Sequence, residues 1–124
     1  QPCPELAGLI EQGHLDDYSV RNVCTEYLEP LLSREIEVVV LGCTHFPFVQ
    51  PLLEELTSGR IQFIDPAFET SELVRRRLEG KDLFNPQKTA GTVSLYFTKD
   101  IELGDTLSAS FLDTSRRSIE HITL

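Results

Sequence analysis

Six consecutive residues, Ile36-Glu37-Val38-Val39-Val40-Leu41, hold five apolar side chains and end at Gly42. Four of the five are β-branched. A run of this kind favours a strand covered on both faces. In an α/β protein the carboxyl end of such a strand is where ligand crevices form. Past the turn at Gly42 stand residues able to do chemistry: Cys43, Thr44 and His45, and then Phe46 and Pro47. A thiol and an imidazole two residues apart at a strand end could form a proton-transfer unit.

The surrounding pattern alternates helices with strands. Residues 5–12 read as a short helix closed by Gly13. Residues 19–33 carry Val20, Val23, Cys24, Tyr27, Leu28 and Leu31 at helical spacing, with Pro30 expected to bend or end the helix. Residues 47–56 read as a helix with Pro47 at its start, followed by the Ser58-Gly59 stop. A second strand is expected over 60–65 and a further helix over 66–79, stopped by Gly80 and capped by Asp65. Residues 81–89 form a polar linker. Beyond it, 92–98 alternate as a strand near an edge, 100–111 form a weak helix, and 118–123 suggest a last strand. The expectation is an α/β fold, a mostly parallel sheet flanked by helices.

The chain has 124 residues and a net charge of −9. A nucleic-acid partner is not expected, because such proteins carry a basic face that neutralises phosphates. The local basic runs are Arg75-Arg76-Arg77 and Arg116-Arg117, and the first reads as a solvated helix face. No apolar run approaches the roughly 20 residues of a membrane span, so no membrane partner is expected. No signal-peptide pattern is visible, and the first residue is Gln1 rather than Met, which suggests a boundary or cut upstream. Three cysteines without CxxC spacing exclude a disulfide framework and fit a reducing, cytoplasmic setting.

Several chemistries fit a strand-end thiol. A cysteine phosphatase needs Arg at the sixth position after the thiol, where this chain has Val49. A zinc site would need Cys43, His45, Cys3, His14 and Glu11 to converge, with no spacing signature to support it. A Cys–His hydrolase stays open, as does a buried thiol that only fills space. Cys24 lies on the apolar face of its helix and reads as core. His14 and His121 have no evident partner in the sequence and are expected to face solvent.

Val40-Leu41-Gly42-Cys43-Thr44-His45-Phe46-Pro47 resembles the second catalytic-cysteine motif of glutamate racemases. Cys3-Pro4 with Leu9-Ile10-Glu11-Gln12-Gly13 resembles the segment that precedes that motif in the family. Phe63-Ile64-Asp65-Pro66-Ala67 and Tyr96-Phe97-Thr98-Lys99-Asp100 resemble later segments, so the likeness spans nearly the whole chain. It implies racemisation of glutamate by two bases, without cofactor or metal, supplying D-glutamate for peptidoglycan in the cytoplasm. By the same resemblance, Cys43 is the base acting on L-glutamate, His45 assists it, Thr44 contacts substrate and Glu11 is the acidic residue beside the site. An exposed carboxylate with no role is the competing reading of Glu11.

The family's Asp-Ser-Gly loop and its Ala-Cys-Asn-Thr motif, with the first catalytic cysteine, have no counterpart in this sequence. The resemblance therefore implies a carboxyl-terminal portion, inactive alone. Residues 1–83 would belong to the second racemase-type domain, and 84–124 would return to the first. Homodimer formation is an arrangement the resemblance leaves open. The alternative function is a non-catalytic ligand-binding or regulatory module that kept the fold.

Overall fold

The computed structural model describes residues 1–109 and 112–123. The chain divides into two compact units, Gln1–Leu83 and Phe84–Leu124.

The first unit opens with helix α1, Leu6–Glu11, which buries Leu6 and Ile10 one turn apart. Asp17 caps helix α2, Tyr18–Leu32, its carboxylate accepting from the Ser19 and Val20 amides at 3.0 and 3.1 Å. Those bonds satisfy amides which a helix start leaves unpaired. Val20, Cys24 and Leu28 recur every fourth residue and form the buried stripe of α2. As expected, α2 ends close to Pro30, two residues beyond it. The proline removes only the bond that the Glu26 carbonyl would accept, and the helix runs on to Leu32, closed by Ser33 N–H on the Glu29 carbonyl at 3.0 Å.

Strand β1 is Val38–Val40, followed by a 3₁₀ turn, Phe46–Val49, and helix α3, Gln50–Leu56. Ser58 and Gly59 take left-handed conformations (φ 51° and 70°) and turn the chain into strand β2, Gln62–Ile64. Strands β1 and β2 pair in parallel, Val39 opposite Phe63. Helix α4, Pro66–Glu79, begins at an Asp65 cap whose carboxylate accepts from the Ala67 amide at 2.9 Å. Its arginines face solvent: Arg75 pairs with Glu72 and Glu79, and Arg76 with Glu72.

One core holds this unit. Ile10 and Val20 are wholly inaccessible, and Val49, Leu52, Leu53, Ile61 and Phe63 close around them. The expected cover on both faces of the first strand is not what is seen. Val39 packs on the core, while Val38 and Val40 are 50% and 60% exposed and Ile64 on β2 is 37% exposed. One face of the two-stranded sheet is therefore bare.

The second unit pairs strand β3, Val93–Phe97, in parallel with strand β4, Arg117–His121, with Leu95 opposite Ile119. Helix α5, Ile101–Ala109, connects them; the expected end of that helix at Phe111 lies outside the described residues. Gly104 lies against the Phe97 ring so closely that a Cβ there would meet it at 2.5 Å. The Arg117 side chain is buried, bonding Ser108 Oγ at 2.6 Å and pairing with Asp105. The two histidines expected to face solvent do so, His121 exposed and His14 partly exposed, and each also has a partner. His14 pairs with Asp17, and His121 Nε2 donates to the Thr98 carbonyl at 3.2 Å.

Helices alternating with parallel strands make this an α/β protein, as expected.

Candidate functional site

Immediately past β1, Leu41 is buried and its amide still bonds the Ile64 carbonyl at 2.9 Å, so the strand end is pinned. The chain then turns tightly. Phe46 N–H donates to the Cys43 carbonyl at 3.2 Å and Phe48 N–H to the His45 carbonyl at 3.1 Å. This curl brings the His45 ring back over Cys43, with Nδ1 3.7 Å from Sγ. From the other side comes Glu11, the last residue of α1. Its neighbour Ile10 is locked in the core, which holds Glu11 at the surface with Oε1 2.9 Å from His45 Nε2. Three residues singled out from the sequence are thus joined in one hydrogen-bonded chain, Glu11–His45–Cys43. Thr44 sits beside them, exposed on the turn.

The chain of bonds has a direction. An ionised carboxylate only accepts, so the bond to Glu11 places the ring hydrogen on Nε2. A neutral imidazole then offers its Nδ1 lone pair to the thiol. Cys43 S–H can pass its proton to His45, and Glu11 faces the imidazolium that results. The product is a thiolate, the form in which sulfur acts as a base or nucleophile.

The other two thiols are unlike this one. Cys24 is 1% exposed, and burial, with a smaller effect from Cys3, pushes its pKa up to about 11. Burial also raises Cys3, offset by the nearby amino terminus and reinforced by Cys43. Both are held as neutral thiols. All three cysteines nonetheless line the same cavity of about 590 Å³ beside β1. Linear spacing carries no signal of that gathering; it arises in the fold, where residues 1–3, α2 and the end of β1 border one cavity. Among the described residues no group of three or more His, Cys, Asp or Glu is arranged to hold a metal ion. No helix among them is long and apolar enough to cross a membrane.

An α/β fold with a cysteine–histidine pair at the end of a parallel strand defines the class: a protein built to place a thiol and its proton acceptor at a strand-end crevice. No family model matches the chain. Its relatives are more specific. The glutamate racemase of Levilactobacillus brevis is 30% identical over 122 residues, which is 98% of this chain and 44% of that protein. The solved glutamate racemase of Francisella tularensis, in complex with D-glutamate, superposes with a TM-score of 0.83 at 25% identity, covering 99% of this chain and 45% of its own. The Thermus thermophilus enzyme, in complex with β-chloro-D-alanine, gives 0.78 at 30% identity, covering 98% and 46%. The chain is a relative of the glutamate racemases along nearly all of its length and spans under half of theirs.

Proposed function

We propose that this chain carries one half of a two-base site for racemising glutamate. Cys43 is the base that takes the α-proton of L-glutamate, His45 is its proton partner and Glu11 orients the imidazole. Thr44 contacts the substrate from the turn. The observation that carries the reading is the Glu11–His45–Cys43 hydrogen-bonded chain at the end of β1. Inversion at carbon needs a proton removed from one face and returned on the other, so a second acid must face Cys43 across the substrate. Racemisation runs in both directions, so that acid must also act as a thiolate base on D-glutamate, and burial disfavours the thiolate of both Cys3 and Cys24. The opposite acid is therefore assigned to the part of a racemase-type protein that this chain does not match. The reaction needs no cofactor in this scheme, because the thiols and the imidazole do all the proton transfer. Residues 84–124 are assigned to packing on that other part, and the cellular role to D-glutamate supply for peptidoglycan in the cytoplasm.

A chimaera tests the reading. This chain would replace the matching 122 residues of the Levilactobacillus brevis racemase. In D₂O the chimaera should exchange the α-proton of L-glutamate and form D-glutamate, and Cys43→Ala should abolish both. The 124-residue chain alone should form none.

A second reading, a ligand-binding module without chemistry, draws on the partial coverage, since the chain spans only 44% of the Levilactobacillus brevis enzyme. It expects glutamate binding by the chimaera with no α-proton exchange.

A further inference from the structure

The Glu11–His45–Cys43 chain has the order of an acyl-transfer site as well as that of a proton-transfer site. Acyl transfer needs a nucleophile bonded to a base, a third group that orients the base, and donors for the oxygen that becomes negative. Here Cys43 Sγ stands 3.7 Å from His45 Nδ1, and His45 Nε2 stands 2.9 Å from Glu11 Oε1. The donors are in the turn itself. Leu41 N–H is spent on the Ile64 carbonyl and Phe46 N–H on the Cys43 carbonyl. Among the described residues, the amides between them, from Gly42 to His45, have no protein acceptor. Two of these belong to the nucleophile's own residue and the next, so covalent geometry keeps them close to a carbonyl carried on Sγ. Gly42, Cys43, Leu6 and Phe46 also border the cavity of about 590 Å³, whose walls hold no ionisable side chain besides the thiols and the Tyr27 phenol.

We infer that this site has a hydrolytic activity of its own: it cleaves esters and thioesters of short, uncharged aliphatic acids through an S-acyl Cys43 intermediate. Cys43 S–H gives its proton to His45 Nδ1, and the thiolate adds to the acyl carbon. The oxyanion that develops takes hydrogen bonds from the Cys43 and Thr44 amides. The bond to the leaving group breaks, and the imidazolium returns its proton to the departing alkoxide or thiolate. Water completes the cycle. His45 Nδ1 takes a proton from it as its oxygen adds to the thioester carbon, the C–Sγ bond breaks, and the proton goes back to the Cys43 thiolate. The balance is ester plus water to acid plus alcohol, with nothing oxidised or reduced. The walls set the acyl class. A charged acyl group there would lose its hydration without gaining a partner. An acetyl or butyryl chain needs only the end of the cavity beside Gly42, Cys43 and Phe46. Unlike racemisation, the reaction requires no second acid on the opposite face, so residues 11–45 hold every group it uses. It rests on the hydrogen-bonded chain and not on glutamate as substrate.

The test is p-nitrophenyl butyrate added to the 124-residue chain, with its helices verified by circular dichroism. Each cysteine lies in its own tryptic peptide, 1–21, 22–34 and 35–60, so mass spectrometry of an acid-quenched sample tells which thiol is acylated. Release of p-nitrophenolate should continue beyond one equivalent per chain, with the butyryl group on peptide 35–60. Cys43→Ala should abolish both. His45→Asn leaves the thiol without its base and should lower turnover roughly 10²–10⁴-fold. The p-nitrophenyl monoester of succinate, with a charged acyl group, should turn over at least about tenfold more slowly. Release that stops at one equivalent, label spread evenly over the three peptides, turnover that survives Cys43→Ala, or equal rates for the butyryl and succinyl esters each overturns the proposal. The same assays on the Levilactobacillus brevis chimaera, read on peptide 35–60, keep it falsifiable when the isolated chain fails to fold. There, ester turnover without α-proton exchange would refute the two-base reading and sustain this one, and exchange without ester turnover would do the reverse.

Discussion

Glu11 is the residue whose role the geometry quantifies best. Its carboxylate is half exposed and its partner His45 is about a third exposed, at 2.9 Å. A pair so open to water contributes about 1 kcal/mol or less. Converted at about 1.4 kcal/mol per tenfold, that bounds the effect of removing the charge at about fivefold. Glu11→Gln keeps an oxygen that accepts from Nε2–H, so the ring keeps its tautomer and Nδ1 still faces the thiol. In the racemase chimaera, Glu11→Gln should therefore slow α-proton exchange of L-glutamate by no more than about fivefold. His45→Asn removes the proton acceptor itself and should cost roughly 10²–10⁴-fold, the usual worth of a positioned acid or base. The assay is loss of the α-proton resonance of L-glutamate in D₂O, followed by NMR, with initial rates taken at saturating substrate. A Glu11→Gln defect as large as that of His45→Asn would refute the orienting role and place the carboxylate on the substrate.

The remaining predictions concern stability. Ile10→Ala empties a wholly buried site and should cost about 2–5 kcal/mol in urea unfolding, whereas Val38→Thr, on the half-exposed face of β1, should stay within about 0.5 kcal/mol. Equal costs would mean that the bare face is covered in solution. Gly104→Ala forces a Cβ to within 2.5 Å of the Phe97 ring and should destabilise the second unit by about 1–3 kcal/mol, with Phe97→Leu restoring part of the loss, as read from the exchange of β3 amides. The Asp17 carboxylate is held down to about 2 by the Ser19 hydroxyl and the Val20 amide, with His14 adding a smaller effect. A depressed carboxylate stabilises the fold above its unfolded pKa of about 3.9. That contribution should fade as pH falls from about 4 through about 2, and Asp17→Asn should flatten this part of the melting-temperature profile.

How far the sequence foretold the structure depends on where the physical signal is local. The span of α4 was legible to the residue, because Asp65 caps and Pro66 starts a helix within one turn of chain. The Gly42–Pro47 turn was legible because a strand-end glycine and a Cys–His spacing of two are local facts. Glu11 was not legible from pattern; only the likeness to the racemases drew it to His45, across 34 residues that periodicity cannot bridge. The end of α2 near Pro30 was legible, and the two residues it runs on have a definable reason. A proline in the last turn of a helix forfeits a single bond, and here Leu31 stays packed on the core.

The run at residues 36–41 fails as a prediction in a more instructive way. Its composition describes a strand buried on both faces, yet the structure pairs only three residues and leaves one face and one edge of β1 open. Hydrophobicity in a sequence records the environment in which the fold is completed, and does not depend on whether the covering elements lie in the same stretch of chain. Three observations converge on that edge: valines exposed where burial is coded, backbone groups aimed away from β2, and an apolar cavity that ends at Cys43. The same strand thus sets both the thiol's position and the surface that awaits cover.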